Sequence, residues 1–304
     1  MNEELSSMKM TLANLTDMGC FNDIPEYYHH YIFEEWRTHG ADKMVFTVAM
    51  MEKAVFDPEF AARFIKKAAD HGLQFTDAHV PWYPVWALNT PPEYKEEMLK
   101  NNSRALELCG ECGAKTLTIH VGDNICRNGS FDLQKSHDWL DATLEKLIPV
   151  AEKNKVVLCI ENIIAPTDQP DELLRCFAKF PSPYFGCCYD SGHANVMENF
   201  PGKDPQRLCS WIKDTLWQGN PKYYDGDTIT ALLPHIVTCH LHDNDGYEDQ
   251  HLPPGRGTVK WDHVLSMLEQ APRLLTIQNE ANILRDGGTS IAALHEAFRK
   301  VGFQ

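Results

Sequence analysis

Seven side chains that can bind a cation or carry a proton recur at one kind of position. His79, His120, Glu161, Asp190, His240, His242 and Glu280 each close a short β-rich run. Carboxylates gathered in one cavity repel one another unless a cation holds them, and isolated buried charges are costly. A set of Glu161, Asp190, His240 and Glu280 suits a divalent metal: hard oxygen ligands dominate, and one imidazole nitrogen favours the later metals. The expected cofactor is one divalent ion, Mn2+ ahead of Mg2+, Co2+ or Zn2+. His240 and His242 lie two apart on one strand and point the same way, so spacing alone does not choose between them as ligand. A cation so held polarises a substrate oxygen, and carboxylates beside it serve as general base or acid.

These residues need elements that bring them to one place. Strands are expected at Lys9–Leu15, Lys43–Val48, Gln74–His79, Lys115–His120, Val156–Glu161, Tyr184–Asp190, Ile236–His242 and Leu274–Glu280. Between them, apolar residues at three-to-four spacing predict helices within Glu26–Thr38, Pro58–His71, Pro92–Cys112, Leu133–Lys153, Asp171–Lys179, Trp261–Gln270 and Ser290–Val301. Gly72 and Gly113 are placed as left-handed helix stops immediately before strands. The stretch after the sixth strand holds Pro201, Gly202, Pro205, Gly219 and Pro221, which predicts a loop-rich insertion around a helix near Gln206–Trp217. Eight β-α units without a linker predict one α/β domain over residues 1–304, a single (β/α)8 barrel. In such a barrel the C-terminal strand ends open onto one bowl, and strands three to eight would all deliver an imidazole or carboxylate to it.

Composition narrows the partners. The formal net charge is −15, with 28 Lys and Arg against 43 Asp and Glu, and no basic stripe offers to neutralise phosphates. Nucleic acid is not expected. The loops at Val80–Pro91 and Gly122–Ser130 are mostly apolar, small or acidic, with Arg127 their only cation. No run approaches the roughly 18 apolar residues of a membrane span, and the start MNEELSSMKMTLANL lacks a basic stretch followed by an apolar one; a cytoplasmic protein is expected. The 10 cysteines are scattered through strands and helices, so reduced thiols are expected, and the Cys109/Cys112 pair is read as structural. Asp243, Asp245 and Asp249 are read as a solvated acidic loop in preference to a second cation site. Gly255 and Gly257 are read as turn positions, and Trp261 as a helix-packing residue.

Five segments resemble the xylose-isomerase-like barrels, a superfamily of sugar isomerases and epimerases, inosose-handling enzymes and endonuclease IV. They are CIENI, YDSGHAN, CHLHDND, HLPPGRGTVKW and IQNEA, similar in order and spacing to the family's E-N, D-x-x-H, H-x-x-D, G-x-G-x-x-x-W and terminal Glu elements over nearly the full chain. The resemblance implies that Glu161, Asp190 and Glu280 are metal carboxylates and, anchored on Asp243, that His240 is the metal histidine. It implies that His193 contacts substrate, as in epimerases, or joins Asp249 and His251 on an additional metal, as in endonuclease IV, where His79 and His120 match histidines of a first zinc.

The reading that follows is a divalent-metal-dependent isomerase or epimerase of a sugar, sugar phosphate or cyclitol. Glu161 and Glu280 would move a proton at carbon through a metal-stabilised enediolate, and His193, His79, His120, His242 and Trp82 would contact substrate. Trp86 is expected to wall the pocket beside Trp82. Alternatives are a zinc phosphodiesterase like endonuclease IV, a lyase or dehydratase, a C-glycoside-cleaving relative, and a non-catalytic metal-containing binding protein. A homo-oligomer is expected from the habits of the superfamily.

Overall fold

The structure, a computed structural model, describes residues 8–17, 24–123, 132–281 and 290–304. Eight parallel strands are present: β1 (Leu15–Asp17), β2 (Lys43–Phe46), β3 (Gln74–Ala78), β4 (Thr116–Ile119), β5 (Val157–Glu161), β6 (Phe185–Asp190), β7 (Ile236–Leu241) and β8 (Thr276–Asn279). Their order is β3-β2-β1-β8-β7-β6-β5-β4. The two ends of this sheet, β3 and β4, meet at a seam. There Lys115 N donates to Thr76 O (3.0 Å) and Val80 N to Thr118 O (3.2 Å), with a parallel bridge between His79 and Thr118. The sheet thus curls into a nearly closed (β/α)8 TIM barrel.

Helices cover the outside: α1 (His29–Thr38), α2 (Val48–Phe56), α3 (Pro58–Asp70), α4 (Lys95–Cys112), α5 (Leu133–Asn154), α6 (Pro170–Lys179), α7 (Ser191–Met197), α8 (Thr228–Leu232), α9 (Trp261–Leu268) and α10 (Ile291–Lys300). Local chemistry sets their ends. Asp57 accepts from Phe60 N with Pro58 at the first turn of α3, and Asp132 caps α5 through Lys135 N, because side-chain oxygens satisfy otherwise orphaned N–H groups. The predicted stops hold: Gly113 ends α4 at φ 88° and Gly72 follows α3 at φ 73°.

Alternation along the strands separates two environments. Leu117, Ile119, Cys239, Leu241 and Ile277 join the apolar core beneath the helices. Thr116, Thr118, Thr238, Thr276 and Gln278, the alternate positions, are also buried and make the bore polar, since successive side chains of a strand point to opposite faces.

Three expected boundaries change. The run placed at Lys9–Leu15 yields a strand only at Leu15–Asp17, because Leu12 N and Met10 O bond to the C-terminal Gln304 instead of to the barrel. Val48 opens α2, not a strand end, with Thr47 at its N-cap. The helix near Gln206–Trp217 is divided into a 3-10 turn at Pro205–Arg207 and a π-helical turn at Trp211–Leu216. Extended backbone at Leu208 (ψ 132°) separates them, and the Trp217 indole N–H is drawn to Ile164 O at 2.8 Å.

Candidate metal centre

The strand ends bring every predicted imidazole and carboxylate into one buried cluster. Glu161, at the end of β5, lies at its middle. Its Oε2 faces His79 Nε2 at 3.5 Å, from across the β3/β4 seam, and His120 Nε2 at 3.3 Å, from the end of the neighbouring β4. Its Oε1 faces His240 Nδ1 at 3.1 Å and His193 Nδ1 at 3.3 Å. Glu280 Oε2, following β8, approaches the same His240 nitrogen at 3.1 Å. Asp190 ends β6 and starts α7, where its Oδ1 caps His193 N at 2.6 Å; its Oδ2 meets His242 Nε2 at 3.1 Å.

Five overlapping donor groups occur among the described residues, each with ligand atoms within 4.8 Å of one another: His79, His120 and Glu161; Glu161, Asp190, His240 and Glu280; His193, His242, Asp249 and His251; and two that overlap the central one, His79, His240 and Glu280, and Glu161, Cys188 and His240. Glu161 is common to the first two, and Asp190 touches the third through His193 and His242. Glu161 Oε2, Glu280 Oε2, His193 Nδ1, His242 Nδ1 and Asp249 Oδ1 are buried without a hydrogen-bond partner, although buried polar atoms are nearly always paired. A cation about 2.1 Å from each ligand sets neighbouring donors about 3.0–3.4 Å apart, and the crowding around Glu161 has that spacing. The donors fit a divalent ion, and three carboxylates with one imidazole in the central group fit it best.

Electrostatics agree. Burial alone would raise the Glu161 carboxyl, but His240, His120 and His193 hold it well below the usual range, and Glu280 is likewise held down against burial, chiefly by His240. Burial disfavours charge on His193, yet Asp190 and Asp249 drive its pKa well up. His251 is pushed to about 9, burial being outweighed by Asp249. Their carboxylate neighbours thus favour the protonated form of His193 and His251, whereas burial pushes His120 down, and a cation would compete with protons for the first two.

Supporting residues fix the ligands. Asn162 Oδ1 accepts from Asp190 N at 2.8 Å and its Nδ2 donates to Asp190 O at 3.0 Å, tying β5 to β6. Ser191 Oγ bonds both to His242 N (3.1 Å) and to His242 O (2.8 Å). A Cβ on Gly192 would come within 2.0 Å of His242 Cε1, so glycine is needed where this ring packs against α7. Sequence reasoning passed over the roles of Ser191 and Gly192, although both stand in the YDSGHAN segment. It also passed over Asp168, buried in the loop after β5 with Oδ1 unpartnered and its carboxyl driven up by burial.

Other expectations are corrected. Trp86 lies in the core at 0% exposure, edge-on to Phe56, and walls no pocket; Trp82 is 55% exposed, its ring 6.4 Å from that of His120 and nearly parallel. The acidic loop is not solvated as a whole. Asp243 is fully buried and accepts from Trp261 Nε1, Gly255 N, Val259 N and Asn244 N, which makes it the organiser of the PPGRG turn. Gly257 lies so close that a Cβ would meet Asn244 O at 2.1 Å. Asp249 belongs to the third donor group, whereas Asp245 is near Arg207. Trp261 packs at the head of α9, as expected. Cys109 and Cys112 join none of the candidate metal groups among the described residues, and Cys112 Sγ donates to Cys109 O. Arg127 lies outside the described residues. No helix among the described residues is long and apolar enough to cross a membrane.

Known proteins share this architecture. The chain is 28% identical over 180 residues to the uncharacterised protein y4fM of Sinorhizobium fredii, covering 55% of this chain and 46% of that one. It spans about half the length of the curated relatives it matches. A 3-keto-D-glucoside 4-epimerase from E. coli superposes with a TM-score of 0.68 at 15% identity, covering 95% of this chain and 98% of that one. The IolI protein with a bound zinc atom superposes at 0.67 with 14% identity, covering 95% and 96%. At those identities the structural likeness concerns the fold. The sequence carries membership further: a model of the xylose isomerase-like TIM barrel matches residues 33–281, and the chain belongs to that family.

Proposed function

We propose that this protein is a divalent-metal-dependent isomerase or epimerase of a small sugar, sugar phosphate or cyclitol. The observation that carries the reading is the pairing of two glutamates on one imidazole: Glu161 and Glu280 each stand 3.1 Å from His240 Nδ1, in a group completed by Asp190. The fold of an epimerase and of a zinc-containing barrel protein supports it.

A bound divalent ion would supply Lewis acidity toward a carbonyl and a neighbouring hydroxyl. Glu161, Asp190, His240 and Glu280 are the residues that would hold it. Glu161 and Glu280, entering from β5 and β8, take a proton from carbon and return it; return to the other face inverts a centre, and return to the next carbon isomerises. His193 orients a substrate oxygen, and Trp82 offers an apolar ring face to sugar C–H groups beside His120.

A second reading has its own observation. The groups at His79/His120/Glu161 and at His193/His242/Asp249/His251 supply donors for further ions, as multi-zinc hydrolysis of a phosphodiester requires. Incubation of the metal-loaded protein with a panel of ketoses, aldoses and their phosphates in D2O separates the two. The proposal expects deuterium at the carbon beside the carbonyl of at least one sugar, lost in Glu161→Gln and Glu280→Gln. Absence of exchange across the panel, with cleavage of a model phosphodiester or abasic DNA, would replace it with the hydrolytic reading.

A further inference from the structure

We propose that Asp77 is a positioning residue for the metal centre: with Thr116, Thr238 and Thr276 it forms a ring of polar contacts across the bore, three of them hydrogen bonds, that fixes the strands carrying His79, His120, His240 and Glu280. The inference rests on reading those four as cation ligands.

Three hydrogen bonds and one oxygen–oxygen contact make up the ring. Thr116 Oγ1 donates to Asp77 Oδ1 at 2.6 Å and Thr238 Oγ1 to Asp77 Oδ2 at 2.8 Å. Thr276 Oγ1 donates to Thr238 Oγ1 at 2.7 Å and lies 3.1 Å from Thr116 Oγ1. Asp77 Oδ1 also accepts from Ala78 N at 2.8 Å, and all four side chains are fully or almost fully buried. Each member lies beneath a donor on its own strand and face, because positions two or four apart on a strand point the same way. Asp77 precedes His79 and Thr238 precedes His240 by two; Thr116 precedes His120 and Thr276 precedes Glu280 by four.

The ring supplies what the backbone leaves weak. β3 and β4 are the ends of the sheet, and few main-chain bonds join them. The bond from Thr116 to Asp77 crosses that seam, so it sets the separation of His79 and His120, which must both reach Glu161 Oε2. The other two ligand strands, β5 and β6, have their own clamp in Asn162. Ring and clamp together cover the six strands that deliver donors. A carboxylate is an expensive way to fill a bore, and among the described residues no lysine or arginine forms an ion pair with Asp77. Its position below a cluster built for cations gives that cost a use, since partners behind the ligands orient them and tune affinity.

The test compares Asp77→Asn, Thr116→Val and Thr116→Ser with wild type. Zn2+ affinity is measured by competition with a chromophoric chelator, and ligand geometry by the visible bands of the Co2+ form. Asp77→Asn and Thr116→Val are expected to weaken zinc binding by about 10–100-fold and to alter the Co2+ bands, while Thr116→Ser, which keeps the hydroxyl, restores tight binding and the wild-type spectrum. Should Asp77→Asn not fold, Thr116→Val decides, because it loses one hydroxyl at conserved volume. Wild-type affinity and spectrum in a folded Thr116→Val would overturn the inference. Wild type that binds neither metal would overturn both the inference and the metal-dependent function; wild type that binds while the variants bind equally overturns only the former.

Discussion

Glu161 is the residue on which the centre turns, since each of its oxygens serves a different set of imidazoles. Its place in the cluster, like those of Asp190, His240 and Glu280, was legible in the sequence because a carboxylate or imidazole at the end of a buried strand has few structural uses. The partnership of His242 was not legible. Two residues beyond His240, it is buried against Asp190, 52 residues away in sequence, and stacks on His251 of the following loop with ring centroids 3.9 Å apart. Gly192 makes that packing possible. Gly192→Ala would place a methyl where the His242 ring now lies, so the ring must leave Asp190 and the third donor group. The expected result is a cation affinity lower by about tenfold or more in a protein with unchanged circular dichroism, although no ligand has been replaced. Calorimetric titration with Zn2+ checks this, and unchanged affinity would remove His242 from the centre.

Among the elements, the strands were legible from short β-rich runs, and the long helices from their periodicity and from Asp57, Asp132, Gly72 and Gly113 at their ends. What escaped was decided by tertiary contact. β1 shifted because the C-terminal Gln304 claims the backbone before it. α7 is only one or two turns long and shows no periodicity, yet Asp190 at its N-cap was a usable signal in D-x-x-H. The junction of β6 and α7 depends on Asn162, whose amide satisfies the N–H and C=O of Asp190 together. Asn162→Ala leaves the Asp190 N–H buried without its acceptor, at about 1–3 kcal/mol, while its C=O keeps the first bond of α7. Thermal unfolding is expected to show this loss, and cation affinity to fall with it as Asp190 drifts. Full stability in this variant would mean that the clamp is replaceable by water.

At the scale of the whole molecule, the barrel explains why donors scattered from residue 79 to residue 280 meet, and the order of β-α units was enough to foresee it. The number of cations was not foreseeable: on the proposed reading a single-metal centre and a multinuclear one would both use Glu161, Asp190, His240 and Glu280, and would differ in whether His79 and His120, or His193, Asp249 and His251, joined on further ions. The acidic balance of the chain, −15 overall, disfavours a polyanionic duplex as partner. Elemental analysis of the purified protein, beside Glu161→Gln and Glu280→Gln, tests the central claim most directly. The expected result is about one divalent ion or more per chain in wild type, with the greater loss in Glu161→Gln, which depletes three donor groups, than in Glu280→Gln, which depletes two. Wild-type protein that takes up no divalent metal even after supplementation would contradict it.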